Sequence, residues 1–186
     1  MKDKLSKIKL LAMDVDGTLT DGSMIFYNGE QIKSFNVQDG LGIRLAMNYG
    51  FGIAWVTGNV TEAVSERAGK LGVVDVYQGA RFKSDTLKRI ASDHNLNEDE
   101  IAFIGDDLND LPAFEHSGFC FAVRNAAEEV KASADMVTQR CGGQGAVREA
   151  IEEIFKAKGQ WEDAIAKFLK ELEEEDAGKK GPEAVA

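Results

Sequence analysis

Two aspartates stand two residues apart in Asp14-Val15-Asp16-Gly17-Thr18-Leu19-Thr20, directly after the apolar run Ile8–Met13. In a strand, residues i and i+2 face the same side, so the two carboxylates converge. Left alone they repel, and either one protonates or the site loses stability. A divalent cation resolves that conflict. Magnesium takes oxygen ligands and commonly pairs one or two carboxylates with water and a substrate phosphate. Gly17 lets the chain turn sharply after the pair. A lone Asp-x-Asp at a strand end is often only a solvated terminus, but the whole string after a buried strand weighs against that reading.

Three further pieces point to the same chemistry. Gly105-Asp106-Asp107-Leu108-Asn109-Asp110 follows the apolar run Ile101–Ile104. Asp107 and Asn109 read best as helix-capping residues that complement the helix dipole. Asp106 reads as the metal ligand that the first cluster still needs from a neighbouring strand. Lys83 follows Gly79-Ala80-Arg81-Phe82, where it can neutralise a transferring phosphoryl group. Thr57-Gly58 closes the run Phe51–Val56 and offers a hydroxyl and a backbone amide to phosphate oxygens. An isolated lysine is most often a surface residue, and a Thr-Gly strand end says little alone. Each gains weight only from its company.

These residues act together only if the chain brings them to one place. Strand-like runs at Ile8–Met13, Phe51–Val56, Val73–Tyr77, Ile101–Ile104, Phe119–Val123 and Asp135–Val137 alternate with helical patterns. The helical stretches are Leu41–Tyr49, Thr61–Leu71, Phe82–His94 and about Ala126–Ala132. The alternation predicts an α/β, Rossmann-like parallel sheet with helices on both faces. Right-handed crossovers then bring the polar strand ends out on one edge, where ligands bind in such folds. Met24–Tyr27 and Gln31–Phe35 flank Asn28-Gly29, which predicts a small hairpin flap over about 22–36. Between Thr57 and Lys83 there is room for one helix and one strand, so no cap domain is expected. An open site of that kind implies a large substrate or cover from a neighbouring subunit.

With 186 residues the chain is long enough for one well-packed domain. That domain is expected over 1–158, followed by 159–186 as an amphipathic helix and a tail. Trp161, Ala164, Ile165, Phe168, Leu169 and Leu172 share one face of the helix, which must bury against its own domain or a partner. Gly178–Ala186 is small and charged, and disorder is expected there. A net charge of −10 argues against nucleic acid as a partner. No apolar run reaches spanning length, so no membrane is expected. Two cysteines and the lack of a secretory pattern at the start fit a cytoplasmic protein.

In order and spacing the four pieces resemble the haloacid-dehalogenase phosphohydrolases. That resemblance implies a magnesium-dependent phosphatase in which Asp14 attacks phosphorus and forms an aspartyl-phosphate. It implies Asp16 as acid and then base, and magnesium held by the Asp14 carboxylate, the Asp16 main-chain carbonyl and Asp106. Thr57, Gly58 and Lys83 would bind phosphoryl oxygens, with Asp110 orienting Lys83. More narrowly, Asp21-Gly22, the hairpin, the segment Phe35 to Arg44, Tyr77-Gln78-Gly79 and the segment Gly142 to Glu149 resemble one family. It is the 3-deoxy-D-manno-octulosonate 8-phosphate (Kdo 8-phosphate) phosphatases of lipopolysaccharide synthesis. The likeness runs from about Leu10 to Gly159. It implies a homotetramer with packed hairpins, a C-terminal tail reaching a neighbour's site, and a phosphorylated sugar acid as substrate. Asp16, Asn36, Val37, Gln38, Asp39, Gly40, Arg44, Asn59, Arg67 and Lys70 would join Thr57, Gly58 and Lys83 around that substrate. For Arg44 and Arg67 a solvated helix face is an equal alternative.

Asn59 departs from the pattern, because the Kdo 8-phosphate enzymes usually carry arginine there. Phosphatases of nine-carbon sugar-acid 9-phosphates tend to have glutamate at that place and a lysine matching Lys70. A nine-carbon substrate and a broad-range phosphatase therefore stand as alternatives. A non-catalytic scaffold is a remote one, since it would have no reason to keep Asp14, Asp16, Lys83 and Asp106.

Overall fold

The computed structural model describes residues 1–179. Its centre is a six-stranded parallel sheet of β1 (Leu10–Met13), β4 (Gly52–Thr57), β5 (Asp75–Gln78), β6 (Ile101–Gly105), β7 (Phe119–Ala122) and β8 (Met136–Val137). The strand order is β5-β4-β1-β6-β7-β8. Strands β1, β6 and β7 are buried along their whole length, which explains their unbroken apolar composition: helices cover both faces of the sheet. Leu10 lies opposite Gly52 on one side and Ile101 on the other.

The helices are α1 (Lys2–Lys7), α2 (Val37–Asn48), α3 (Glu62–Leu71), α4 (Lys83–Asp93), α5 (Leu111–Phe114), α6 (Glu128–Ser133), α7 (Ala146–Ala157) and α8 (Trp161–Lys179). Most boundaries lie within two residues of the sequence expectation. Helix α2 begins four residues earlier than expected, because the Asn36 side chain accepts a 2.7 Å bond from the Gln38 amide and caps it. The short helix α1 gives no periodic signal, since Leu5 is its only buried residue.

Strands β2 (Ile25–Tyr27) and β3 (Glu30–Ile32) form the expected hairpin. Its turn residues Asn28 and Gly29 have φ of 50° and 83°, the type I′ pattern that matches strand twist. The first half of the apolar stripe of α8 packs on its own domain, with Ala164 buried and Trp161, Ile165 and Phe168 against the core. Leu169 and Leu172, expected on the same buried face, are exposed because α8 runs past the end of the domain surface it docks on. Gly178 and Lys179 continue α8, and the rest of the stretch expected to be disordered lies outside the described residues. Among the described residues there is no cap domain, and no helix is long and apolar enough to cross a membrane.

Candidate active site

From β1 the chain moves outward through β4 to β5, then returns to place β6 on the other side of β1. This reversal puts a ligand-binding crevice at the carboxyl end of β1. Asp14 follows β1 directly, its amide donating to the Ile104 carbonyl at 3.0 Å. Thr57 is the last residue of β4, Asp106 follows β6, and Lys83 opens α4. Residues far apart in sequence therefore meet at one sheet edge.

Lys83 is buried and bonds both Asp14 Oδ1 and Asp110 Oδ1, the latter at 2.5 Å. The second Asp110 oxygen accepts from the Asp106 amide at 2.8 Å and the Asp107 amide at 3.3 Å. Both Asp110 oxygens are thus committed to the protein. Thr18 Oγ1 donates to Asp106 Oδ1 at 3.1 Å, a contact that aims this carboxylate. Burial pushes the Asp14 carboxyl well above its ordinary value, against the pull of Lys83. Burial, helped by Asp110, lifts Asp106 to about 6. For Lys83 burial acts to lower the ammonium's pKa, but Asp14 and Asp110 outweigh it and hold it above its usual value.

Oxygens of Asp14, Asp106 and Asp110 lie within 4.8 Å of one another. Three carboxylates so close, with one ammonium among them, are short of positive charge. An all-oxygen donor set of this kind fits magnesium. Asp14 and Asp106 would hold it with the Asp16 main chain, since Asp110 has no oxygen to spare. When bound, the ion neutralises charge on a phosphoryl group.

The loop after β1 is pinned from two sides. Gly17 has φ of 100°, and a Cβ there would fall 2.0 Å from Asp106 Oδ2. Gly142 packs on its back, where a Cβ would fall 1.6 Å from the Gly17 carbonyl oxygen. The Gly143 amide donates to the Thr18 carbonyl at 2.9 Å, and the Gly142 amide to Asn125 Oδ1 at 2.8 Å. The first bond ties the segment just before α7 to the loop after β1, and the second ties it to the segment after β7.

Several residues of the expected substrate set have partners within the protein, and Asp39 and Arg44 point away from the carboxylates. Asp39 is buried and accepts from the amides of Gly145 at 3.2 Å and Arg148 at 2.8 Å, so it caps α7 rather than facing the carboxylates. Gln38 accepts from Arg140 Nη1 at 2.9 Å, and Val37 is exposed. Gly40 leaves room for Arg67, whose Nη2 would lie 2.3 Å from a Cβ there. Arg44 is exposed on α2 and lines a surface depression with Asn48, Glu171 and Glu174, because α2 carries it toward α8. Arg67 lies over the Phe35 ring at 5.9 Å, and Lys70 pairs with Glu66 at 2.6 Å. Asn59 Nδ2 donates to Gln31 Oε1 of the hairpin at 3.1 Å.

Lys33 was not foreseen. It leaves the hairpin, buries its side chain and pairs with Asp16. Thr18 and Gln31 were likewise unassigned. The hairpin pattern predicted the element but not where its far end would dock.

A model of haloacid dehalogenase-like hydrolases matches residues 62–151. The 3-deoxy-D-manno-octulosonate 8-phosphate phosphatase of Salmonella typhi is 40% identical over 166 residues, spanning 87% of this chain and 86% of the relative. Among solved structures, a Legionella pneumophila hydrolase assigned to subfamily III A of the same superfamily superposes with TM-score 0.88. It is 42% identical and covers 91% of this chain and 93% of its own. The Moraxella catarrhalis 3-deoxy-D-manno-octulosonate 8-phosphate phosphatase, solved with magnesium, phosphate and Kdo, gives 0.86 at 40% identity, covering 90% and 97%. With the carboxylate and lysine cluster standing at the strand ends where the sequence motifs predict it, the chain belongs to the 3-deoxy-D-manno-octulosonate 8-phosphate phosphatase family of haloacid dehalogenase-like hydrolases.

Proposed function

We propose that this protein is a magnesium-dependent phosphatase that converts Kdo 8-phosphate to Kdo and inorganic phosphate. The observation that carries the proposal is the buried Asp14 carboxylate, held by Lys83 and set beside Asp106 at the centre of the sheet edge. A carboxylate fixed in this way is a nucleophile with its orientation already paid for.

One Asp14 oxygen attacks phosphorus while the bond from phosphorus to the sugar oxygen breaks. Asp16 gives its proton to that leaving oxygen, so neutral Kdo hydroxyl departs and an aspartyl-phosphate remains. Water then attacks phosphorus, Asp16 takes the water's proton, and the bond to Asp14 breaks to release phosphate. Lys83 and the Thr57 hydroxyl offset the charge on the phosphoryl oxygens throughout. Arg67, Lys70 and Asn59, on the α3 side of the site, take part in holding the sugar acid.

The enzyme acts as a homo-oligomer, a tetramer by its relationship to the family. Met24, Ile25, Phe26 and Tyr27 are exposed together on the hairpin, a patch that favours burial against other copies. Both cysteines are free, which suits the reducing cytoplasm where we place it.

The test is the ratio of kcat/KM on Kdo 8-phosphate to that on glucose 6-phosphate, measured with magnesium and again after chelation. We expect a preference of at least about 100-fold for the sugar acid and loss of turnover without the metal. Equal efficiency on both substrates would make the protein a broad-range phosphatase instead. A higher rate on a nine-carbon sugar-acid 9-phosphate would point to the reading that Lys70 favours.

A further inference from the structure

Lys33 follows β3 and turns back into the molecule. Its side chain is 1% exposed although the flanking residues Ile32 and Ser34 face solvent. The ammonium pairs with Asp16 Oδ1. A long cationic side chain at a hairpin end would ordinarily reach into water, and burying it costs free energy that its partner must offset.

Lys33 also lines two cavities, together with Ala63 and Glu66. One, of about 580 Å³, lies between the hairpin and the start of α3, and Gln31 and Thr61 line it. The other, of about 190 Å³, has Phe35, Arg67 and Lys70 in its lining. The walls of this region hold unspent polar groups: Gln31 Nε2, Thr61 Oγ1 and Arg67 Nε are buried without a hydrogen-bond partner. Buried polar atoms in folded proteins rarely lack partners, and exceptions are places where water, an ion or a ligand can supply them. The bond from Asn59 to Gln31 holds the hairpin in this position.

In the proposed reaction Asp16 protonates the leaving oxygen, so that oxygen must come to the Asp16 carboxylate. The ammonium bonded to this carboxylate then stands beside the leaving group. We infer that Lys33 is a specificity-determining residue that donates hydrogen bonds to the hydroxyl oxygens of the leaving sugar, next to the bond that breaks. The inference rests on the proposed function for the role of Asp16. The ligand class it assigns to this subsite is a polyhydroxylated leaving group, as opposed to a flat apolar one.

Lys33→Met and Lys33→Arg test it, each assayed on Kdo 8-phosphate and on p-nitrophenyl phosphate, whose leaving group has no hydroxyls and needs no proton. Lys33→Met should lower kcat/KM about 100-fold on the sugar substrate, with a raised KM, and no more than about tenfold on the aryl phosphate. Lys33→Arg should recover at least about tenfold of the sugar loss. Equal fractional losses on the two substrates, or no loss on either, would overturn the assignment. Should Lys33→Met fail to fold, free Kdo as a competitor of aryl phosphate hydrolysis decides the matter with Lys33→Gln. Inhibition weakened about tenfold or more supports the inference, and unchanged inhibition refutes it. Failure of the proposed function would appear separately, as a wild-type enzyme that prefers hexose phosphates. The same comparison would then run with the hexose phosphate as the hydroxylated substrate.

Discussion

Asp14, Asp106 and Asp110 are held closer together than three negative charges tolerate, and Lys83 supplies one compensating charge. Asp106 titrates at about 6 in the metal-free fold, above the roughly 3.9 of an unfolded aspartate. Between those values the folded protein binds a proton that the unfolded chain has released. This contribution to stability is therefore present at low pH and lost as pH rises through 6. Magnesium takes the place of that proton. Its affinity should rise with pH through the range around 6 in which Asp106 loses its proton. Calorimetric titration between pH 5 and 8 measures this, and an unchanged pH dependence in Asp106→Asn would refute the assignment. Asp14 and Asp106 were legible in the sequence because each sits one residue past an apolar strand. Asp39 was legible as a motif residue but not in its role, because the amides it binds lie more than a hundred positions away. Lys33 was illegible for a related reason: its partner depends on how the hairpin folds back.

At the scale of elements, the alternation of apolar runs and helices gave the sheet, and the polar strand ends gave its functional edge. The apolar stripe of α8 fixed that it must dock, while its destination needed the packed surfaces of α2 and α7. The glycines before α7 carry no reactive group, yet Gly142 and Gly143 brace the loop after β1. Gly142→Ala should displace the Gly17 carbonyl, costing about 1–3 kcal/mol in overpacking and at least about tenfold in kcat. Gly69→Ala is the control, since nothing lies within 4 Å of a Cβ at that position in α3. It should keep full activity and gain a few tenths of a kcal/mol. Thermal melts and kcat on an aryl phosphate separate the two outcomes. A Gly142→Ala enzyme as active and stable as the parent would show that the brace is slack.

At the scale of the whole molecule, the exposed apolar residues of the hairpin are the strongest sign of assembly, with Phe26 65% exposed. A two-stranded hairpin is marginal by itself, and packing against other copies would stabilise it. Light scattering at micromolar concentration should give a mass near four chains. Phe26→Asp should shift it to a smaller species with reduced activity on the sugar substrate, because the hairpin also carries Gln31 and Lys33. A fully active monomer would refute the assembly. The place of β1 in the sheet has a consequence for biosynthesis. Of the six strands in its sheet it is the first to leave the ribosome, yet it is buried between β4 and β6. Until the chain has been made through Gly105, one edge of this wholly buried strand has no native partner. At about 5–20 residues per second that interval is roughly 5–20 s, during which Leu10–Met13 depends on chaperones or on the helices already made to keep it from neighbouring nascent chains.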